Sequence, residues 1–340
     1  MHEVLTQNHI VLLNGAFVVA YYYVKVYEKN DKLLQVLLSR TNAERQSIVR
    51  NYQKLFNKSI LDEIQDVNEE MKKIFIEDLL TDTSILLANE LYAAMMLLDL
   101  QSVTSILIDF RGDEFNQVES VYKIYSNKSI WQDIEHHFGE PVKNILYCTV
   151  DSRKHELKME HPNKGRGGKP IVNRARIISL FRILTRILDS KKDVQQSLGE
   201  LLCFLHPFEL EMLNKQFKKK TGEDLSAVIQ NETFGTTDDV LMAIYNHSVN
   251  KPMYFATIIH DAIHEHYIGI LKVFRLLIFR SEIDLYTINK EYKVQYGKYL
   301  LNDIKKEFNG ISDDVLTRPL RKPELSDSVQ HSIPITFHEG

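Results

Sequence analysis

Apolar residues recur along this chain at the spacing of helices, not strands. Leu33, Val36, Leu37 and Arg40 follow one helical face, and Ile74, Ile76, Leu79 and Leu80 follow another. The stretch Leu276–Gly310 shows how such faces are organised. An apolar run ends in Arg280, followed by Tyr292, Gly297, the pair Leu300 and Ile304, Glu307, and the closing Gly310. The same order of residue types occurs three more times. It reads Arg40, Tyr52, Asn57, Ile60 and Ile64 in the first copy, and Arg111, Tyr122, Asn127, Ile130 and Ile134 in the second. In the third it reads Leu205, Phe217, Gly222, Leu225 and Ile229. The aromatics at 52, 122, 217 and 292 lie 70, 95 and 75 residues apart, so four units repeat with extra chain between the second and third. The four aromatics are therefore expected at equivalent positions.

Each unit reads as one helix, a short loop, two helices, another short loop and two more. Asn42 and Asn116 are suited to start helices, and Pro207 falls at a helix start, where its missing N–H does no harm. No alternating run is long enough to demand a strand. Ile10–Val26 is mostly apolar, but Asn14 and Gly15 interrupt it and no basic segment precedes it, so Gly15–Val26 reads as the first helix of the first unit. No later stretch reaches the roughly 18 apolar residues of a membrane span.

Composition narrows the classes. In 340 residues, 26% are charged and the formal net charge is −4, so no global polycation calls for nucleic acid. Eight prolines and 13 glycines argue against a β-rich or disordered chain. Cys148 and Cys203 make no disulfide framework and read as buried apolar residues of a reducing compartment. Trp131 and the many tyrosines, Tyr21–Tyr23 among them, read as core.

The repeats resemble those of annexins over roughly residues 16–320. The most specific pieces are SRTNAERQ at Ser39, FRSEIDLYTINKEY at Phe279, YFATIIHDAI at Tyr254 and NETFG at Asn231. The wider gap between units two and three falls where annexins also have it. The resemblance implies an all-α fold, an annexin-like array of four five-helix repeats forming a curved disc. On that reading residues 1–14 are a short N-terminal segment, and 15–82 and 83–150 are repeats one and two. Residues 151–172 are a basic glycine-containing linker, 173–250 and 251–320 are repeats three and four, and 321–340 are a C-terminal tail. The resemblance also implies convex-face loops that carry calcium and meet acidic phospholipid.

The departures from the family pattern bear on function. An annexin calcium loop joins the first two helices of a unit and needs glycines, whose freedom lets carbonyl oxygens turn onto the ion, and a later carboxylate completes the shell. Here the corresponding segments are Lys25–Lys29, Leu97–Gln101, Asp189–Asp193 and His264–Ile268, and none contains glycine. The later carboxylate survives only as Glu232 and Glu307. His136 and His137 fall there in unit two, and Val67 beside Asp66 in unit one. Calcium is thus expected to be weakly bound or absent in most repeats. Such loss is similar to that in the divergent α-giardins of protists, which associate with cytoskeleton. Asp238, Asp239, Asp313 and Asp314 follow glycines and offer further carboxylates. They could ligate calcium weakly or cap the following helices.

Two other features carry chemistry. The segment Asp151–Arg176 holds eight Lys or Arg against three acids, and its core, Lys164, Arg166 and Lys169 among glycines, suits a phosphate or an anionic headgroup. It can equally be a solvated insertion. His260 and His264, one helical turn apart with Glu265 and His266 behind, have the spacing of a zinc hydrolase, which is kept as an outside reading. No Ser/His/Asp set or dinucleotide fingerprint emerges. The sequence thus points to a non-catalytic protein of the cytoplasm, peripheral to membrane or cytoskeleton. Its expected partners are an anionic phospholipid membrane and a cytoskeletal protein. The alternative is a structural cytoskeletal protein that ignores lipid.

Overall fold

A computed structural model describes residues 34, 36–64, 70–156 and 174–307. All the regular structure among them is helical. In repeat one, α1 (Asn42–Phe56) is followed by a short 3-10 helix (Ile60–Ile64) and α2 (Glu70–Leu80). Repeat two is complete, with α3 (Thr83–Met96), α4 (Leu100–Leu107), α5 (Glu114–Ser126), α6 (Ile130–Phe138) and α7 (Glu140–Glu156). So is repeat three, with α8 (Arg174–Ser190), α9 (Val194–Cys203), α10 (Pro207–Thr221), α11 (Leu225–Glu232) and α12 (Gly235–Val249). Repeat four contributes α13 (Lys251–Ile263), α14 (His266–Ser281), α15 (Leu285–Tyr296) and α16 (Leu300–Glu307).

The expected equivalence of the aromatics is visible in local geometry. Tyr52, Tyr122, Phe217 and Tyr292 are all buried, each in the last turn and a half of the third helix of its repeat. Five residues later each helix ends on a left-handed residue, Asn57, Asn127, Gly222 or Gly297, with φ of 52°, 55°, 83° and 73°. The N–H of each caps the carbonyl four residues back. Asn and Gly are the residues that tolerate this conformation, which is why they recur there. Ile60, Ile130, Leu225 and Leu300 open the next helix and are fully buried.

The conserved spacing carries polar wiring as well. The Tyr122 hydroxyl donates to Asp133 at 2.7 Å and the Tyr292 hydroxyl to Asp303 at 2.6 Å. Lys128 and Lys298 hold the other carboxylate oxygens. In repeat three Phe217 lacks the hydroxyl and Val228 stands where the acid would be, so both halves of the bond are absent together. There the network shifts. Tyr245 donates to Asp224 at 2.7 Å, and Asn214 Oδ1 accepts the Leu225 N–H. Burial works to raise the Asp224 carboxyl, but hydrogen bonds from Tyr245, Ser226 and Asn214 together outweigh it and hold it at about 2.

The chain divides into two compact units that do not follow repeat order. One gathers α1, α2 and α14–α16, from the first and last repeats, and the other runs from Thr81 to Asp261. In the first unit two of the motifs that looked most specific in sequence, SRTNAERQ and FRSEIDLYTINKEY, meet. Buried Arg45 donates to the carbonyls of Leu37 and Arg40 and pairs with Glu282 at 2.9 Å. Glu282 also accepts the Asn42 N–H at 2.8 Å, so it satisfies an orphan donor in the first turn of α1 and its charge suits the positive end of that helix. Phe75 of α2 stacks edge-on against Phe274 of α14, with centroids 4.8 Å apart.

Near that contact burial lifts the Asp78 carboxyl to about 6, although Arg275 pulls it down. A carboxyl raised in the folded state above its ordinary 3.8 favours folding fully below about 3.8, and the contribution is lost as pH rises through about 6. The stability of the parent relative to Asp78→Asn should therefore be greater at pH 5 than at pH 7.5 in urea titrations. An equal difference at the two pH values would refute the raised carboxyl.

In the second unit Asp109, in the turn after α4, accepts from His247 Nε2 at 3.1 Å and pairs with Lys251. The unit also corrects the cysteine reading. Cys148 of α7 and Cys203 of α9 form a disulfide, with Cα atoms 5.7 Å apart. Gly199 makes the approach possible, since a Cβ there would lie 2.9 Å from Ile145 Cγ1. One turn beyond the Ile145–Gly199 contact, the two sulfurs meet. A separation of 55 residues in sequence gave no hint that the two helices lie side by side.

Smaller corrections concern helix ends and tyrosines. Thr41, not Asn42, is the N-cap of α1, and Glu44 completes a capping box. Asn116 lies inside α5, which begins at Glu114. Pro207 does open α10, behind His206 as N-cap. Helix α7 runs on to Glu156, into the segment expected to be linker, because Asp151–Glu156 can continue its helical pattern. Trp131 packs on Phe115 with centroids 5.0 Å apart, but Tyr125 and Tyr147 are exposed. Tyrosine's amphipathic ring suits such positions. Tyr21–Tyr23 lie outside the described residues.

Candidate functional site

The turns between the first and second helices of repeats two and three are where the resemblance places calcium chemistry. The α3–α4 turn is Leu97–Leu98–Asp99. Leu98 takes a left-handed conformation, φ 56°, which glycine would adopt without strain. Both carboxylate oxygens of Asp99 are engaged, Oδ1 with the Ser102 N–H at 3.0 Å and Oδ2 with the Ser102 hydroxyl at 2.6 Å. The acid is the N-cap of α4. Leu97 and Leu98 are 58% and 60% exposed, so the outer surface of this turn is apolar.

In the α8–α9 turn Lys191 and Asp193 are left-handed, φ 52° and 45°. Lys191, Lys192 and Asp193 are exposed. The α11–α12 loop lies at the same end, because the Phe234 N–H donates to Gln195 Oε1 at 3.1 Å, in the first turn of α9. Glu232 is exposed as the last residue of α11, and Phe234 is exposed beside it.

The four expected aspartates fare differently. Asp238 sits within the first turn of α12 and accepts the Thr233 hydroxyl at 2.7 Å. The N-cap of that helix is Phe234, with no side-chain cap, so neither Asp238 nor Asp239 caps it. The Phe234–Gly235 backbone places both acids too far into the helix for that. Asp239 is exposed. Asp313 and Asp314 lie outside the described residues, as do the side chain of Glu307 and the basic trio Lys164, Arg166 and Lys169. His260 is on α13, but His264 follows its last residue, so the two histidines do not share one continuous helix face. Among the described residues no three His, Cys, Asp or Glu side chains are grouped to hold a metal ion, and no helix is long and apolar enough to cross a membrane.

Two features escaped the sequence reading. One is the Gln195 bond that fixes the α11–α12 loop, for which an isolated glutamine carries no signal. The other is the outer face of α8, where Arg174, Ile178, Arg182 and Arg186 fall at four-residue steps, a spacing that was legible.

Four copies of a third helix ending on a buried aromatic and a left-handed cap, with five helices in each complete unit, define a helical repeat protein of the annexin type. The family model described as Annexin matches residues 25–75 and 254–318, within the first and last repeats. Human annexin A10 is 27% identical over 286 residues, covering 82% of this chain and 83% of the relative. Annexin B22 of Schistosoma mansoni is 26% identical over 298 residues, covering 82% and 80%. Calcium-bound annexin (Sm)1 superposes with a TM-score of 0.75 at 25% identity, covering 90% of this chain and 88% of the other. Calcium-bound alpha-14 giardin, at 13% identity and a TM-score of 0.70, shares the fold and covers 91% and 100%. Over most of its length the chain is similar to annexins in sequence and in fold.

Proposed function

We propose that this annexin-like protein binds anionic phospholipid at a membrane periphery with little dependence on calcium, works without catalysis, and links membrane to cytoskeleton. Similarity to annexins supports the lipid surface as the partner, and the bound ion named for the (Sm)1 annexin and alpha-14 giardin structures supports residual calcium affinity. The observation that carries the reduced calcium dependence is the α3–α4 turn. Its one carboxylate spends both oxygens on Ser102, and its left-handed residue is a leucine. Calcium wants six to eight oxygens at 2.3–2.6 Å, and this turn offers too few. In repeat three the ammonium groups of Lys191 and Lys192 oppose a divalent cation in the corresponding turn. The residues of these two repeats do not fit a high-coordination calcium site.

What calcium binds is expected near Glu232 and Glu307. Titration calorimetry of the double variant Glu232→Gln, Glu307→Gln should lose the calcium heat. An unchanged heat would refute the assignment. Sedimentation with phosphatidylserine vesicles, with calcium and with chelator, tests the wider reading. Comparable binding in both is expected. No binding in either would favour the lipid-indifferent cytoskeletal alternative.

A further inference from the structure

Helix α8 presents a built-in cationic face that the calcium loops do not include. Ile177, Leu180 and Leu184 face the core. Over the opposite half of its circumference the helix exposes Arg174, Arg182 and Arg186, with Ile178 46% and Ile183 42% exposed among them. At 1.5 Å per residue these arginines span about 18 Å along the axis. Arg176, by contrast, is turned away and paired with Glu209 of α10. Among the described residues Arg174, Arg182 and Arg186 have no ion-pair partner. One acid, Asp189, shares their arc near the end of the helix.

The neighbouring helix extends the charge. Arg176 meets Glu209, and Phe181 meets Phe217 with centroids 6.1 Å apart, so α8 and α10 advance in the same direction. Exposed Lys219 and Lys220, near the end of α10, therefore lie toward the second half of α8. They too have no ion-pair partner among the described residues. These five cations lie in a chain whose net charge is −4.

We propose that the outer face of α8 is a calcium-independent docking surface for the phosphate-rich headgroup layer of an anionic bilayer. This rests on the lipid-binding reading above and gives it a second, separate surface. Guanidinium groups suit phosphate because their planar fork can donate two parallel bonds. The exposed isoleucines decide between a lipid and an acidic protein. A face that interleaves arginine with branched aliphatics matches a headgroup and acyl boundary, where apolar side chains enter and cations remain at the phosphates.

The test uses the full chain and three variants. The first is Arg174→Gln, Arg182→Gln, Arg186→Gln, the second Ile178→Ser, Ile183→Ser, and the third Arg50→Gln as a control for a single exposed arginine on α1. Binding to vesicles of phosphatidylserine and phosphatidylcholine is measured in chelator and in calcium, beside pure phosphatidylcholine vesicles and soluble polyglutamate. Circular dichroism melts confirm that each variant is folded. In chelator the arginine variant should lose about 100-fold in affinity, since each basic residue at an anionic surface contributes a factor of about five. The isoleucine variant should weaken vesicle binding and leave polyglutamate unaffected, and the Arg50 control should bind as the parent does. If the parent binds in chelator and the arginine variant binds equally, the α8 surface is wrong while lipid binding stands. Binding that needs calcium also overturns it. Polyglutamate binding as tight as vesicle binding, with the same sensitivity to arginine, would reassign the face to an acidic protein. Failure of the parent to bind vesicles under either condition would instead sink the lipid-binding reading itself.

Discussion

Reduction of the Cys148–Cys203 bridge should lower the stability of the unit from Thr81 to Asp261 by about 4 kcal/mol. The bridge closes a loop across 55 residues of sequence, and cross-linking that span removes chain entropy from the unfolded state in roughly that amount. The 5.7 Å Cα separation lies in the ordinary range for a disulfide. The buried Ile145–Gly199 contact beside the bridge keeps the two helices together when it is open, so the fold should persist in weakened form. Urea unfolding of the oxidised parent, the reduced parent and Cys148→Ser, Cys203→Ser measures the effect. Reduced parent and double variant should coincide at a lower midpoint, and reductant should not shift the variant further. Coincident midpoints for oxidised and reduced parent would show that the bridge contributes nothing.

Tyr122→Phe should cost about 2 kcal/mol, although it removes one oxygen atom. The hydroxyl is buried and donates to Asp133, which is itself buried, so its loss strips a charged acceptor of its bond. Burial raises the Tyr122 phenol above its ordinary value, and the Asp133 carboxylate adds to that, so the hydroxyl keeps its proton and remains a donor. Asp133→Val alone should cost a similar amount by stranding the hydroxyl. The double variant reproduces what repeat three already has, Phe217 over Val228, and leaves neither group unsatisfied. Its cost should fall short of the sum of the singles by at least about 1 kcal/mol, because the two residues form one interaction. Additive losses in a urea titration would show that Tyr122 and Asp133 act independently.

The contrast between those two sites marks what each level of description supplies. The Tyr122–Asp133 pair was half legible. The recurrence of Tyr52, Tyr122, Phe217 and Tyr292 fixed the register of the repeats, and Asn57, Asn127, Gly222 and Gly297 marked the helix ends, because only certain residues accept the left-handed cap. Those signals are local, lying within one helix and its terminus, so one chain is enough to read them. The helical class followed from the same periodicity.

The candidate site was less legible. The absence of glycine from the Leu97–Gln101 and Asp189–Asp193 segments could be read directly. That Asp99 spends both oxygens on Ser102 could not, nor that Asp238 bonds Thr233 and caps nothing. A carboxylate in sequence is a free ligand or an engaged cap according to a rotation about its side-chain bonds, and composition is blind to it.

By itself, then, the sequence determined the helical class and the fourfold recurrence of the units, because each depends on residues within a few turns of one another. The tertiary structure alone decided that repeats one and four share a core, with Glu282 at the first turn of α1 and Arg45 paired to it across 237 positions. It alone decided that Cys148 and Cys203 are bridged. Contacts of that range depend on which apolar faces find each other once the helices have formed. Those faces are built from leucines and isoleucines that look alike in every repeat, so the partner of each is chosen by packing in three dimensions and not by any residue that names it.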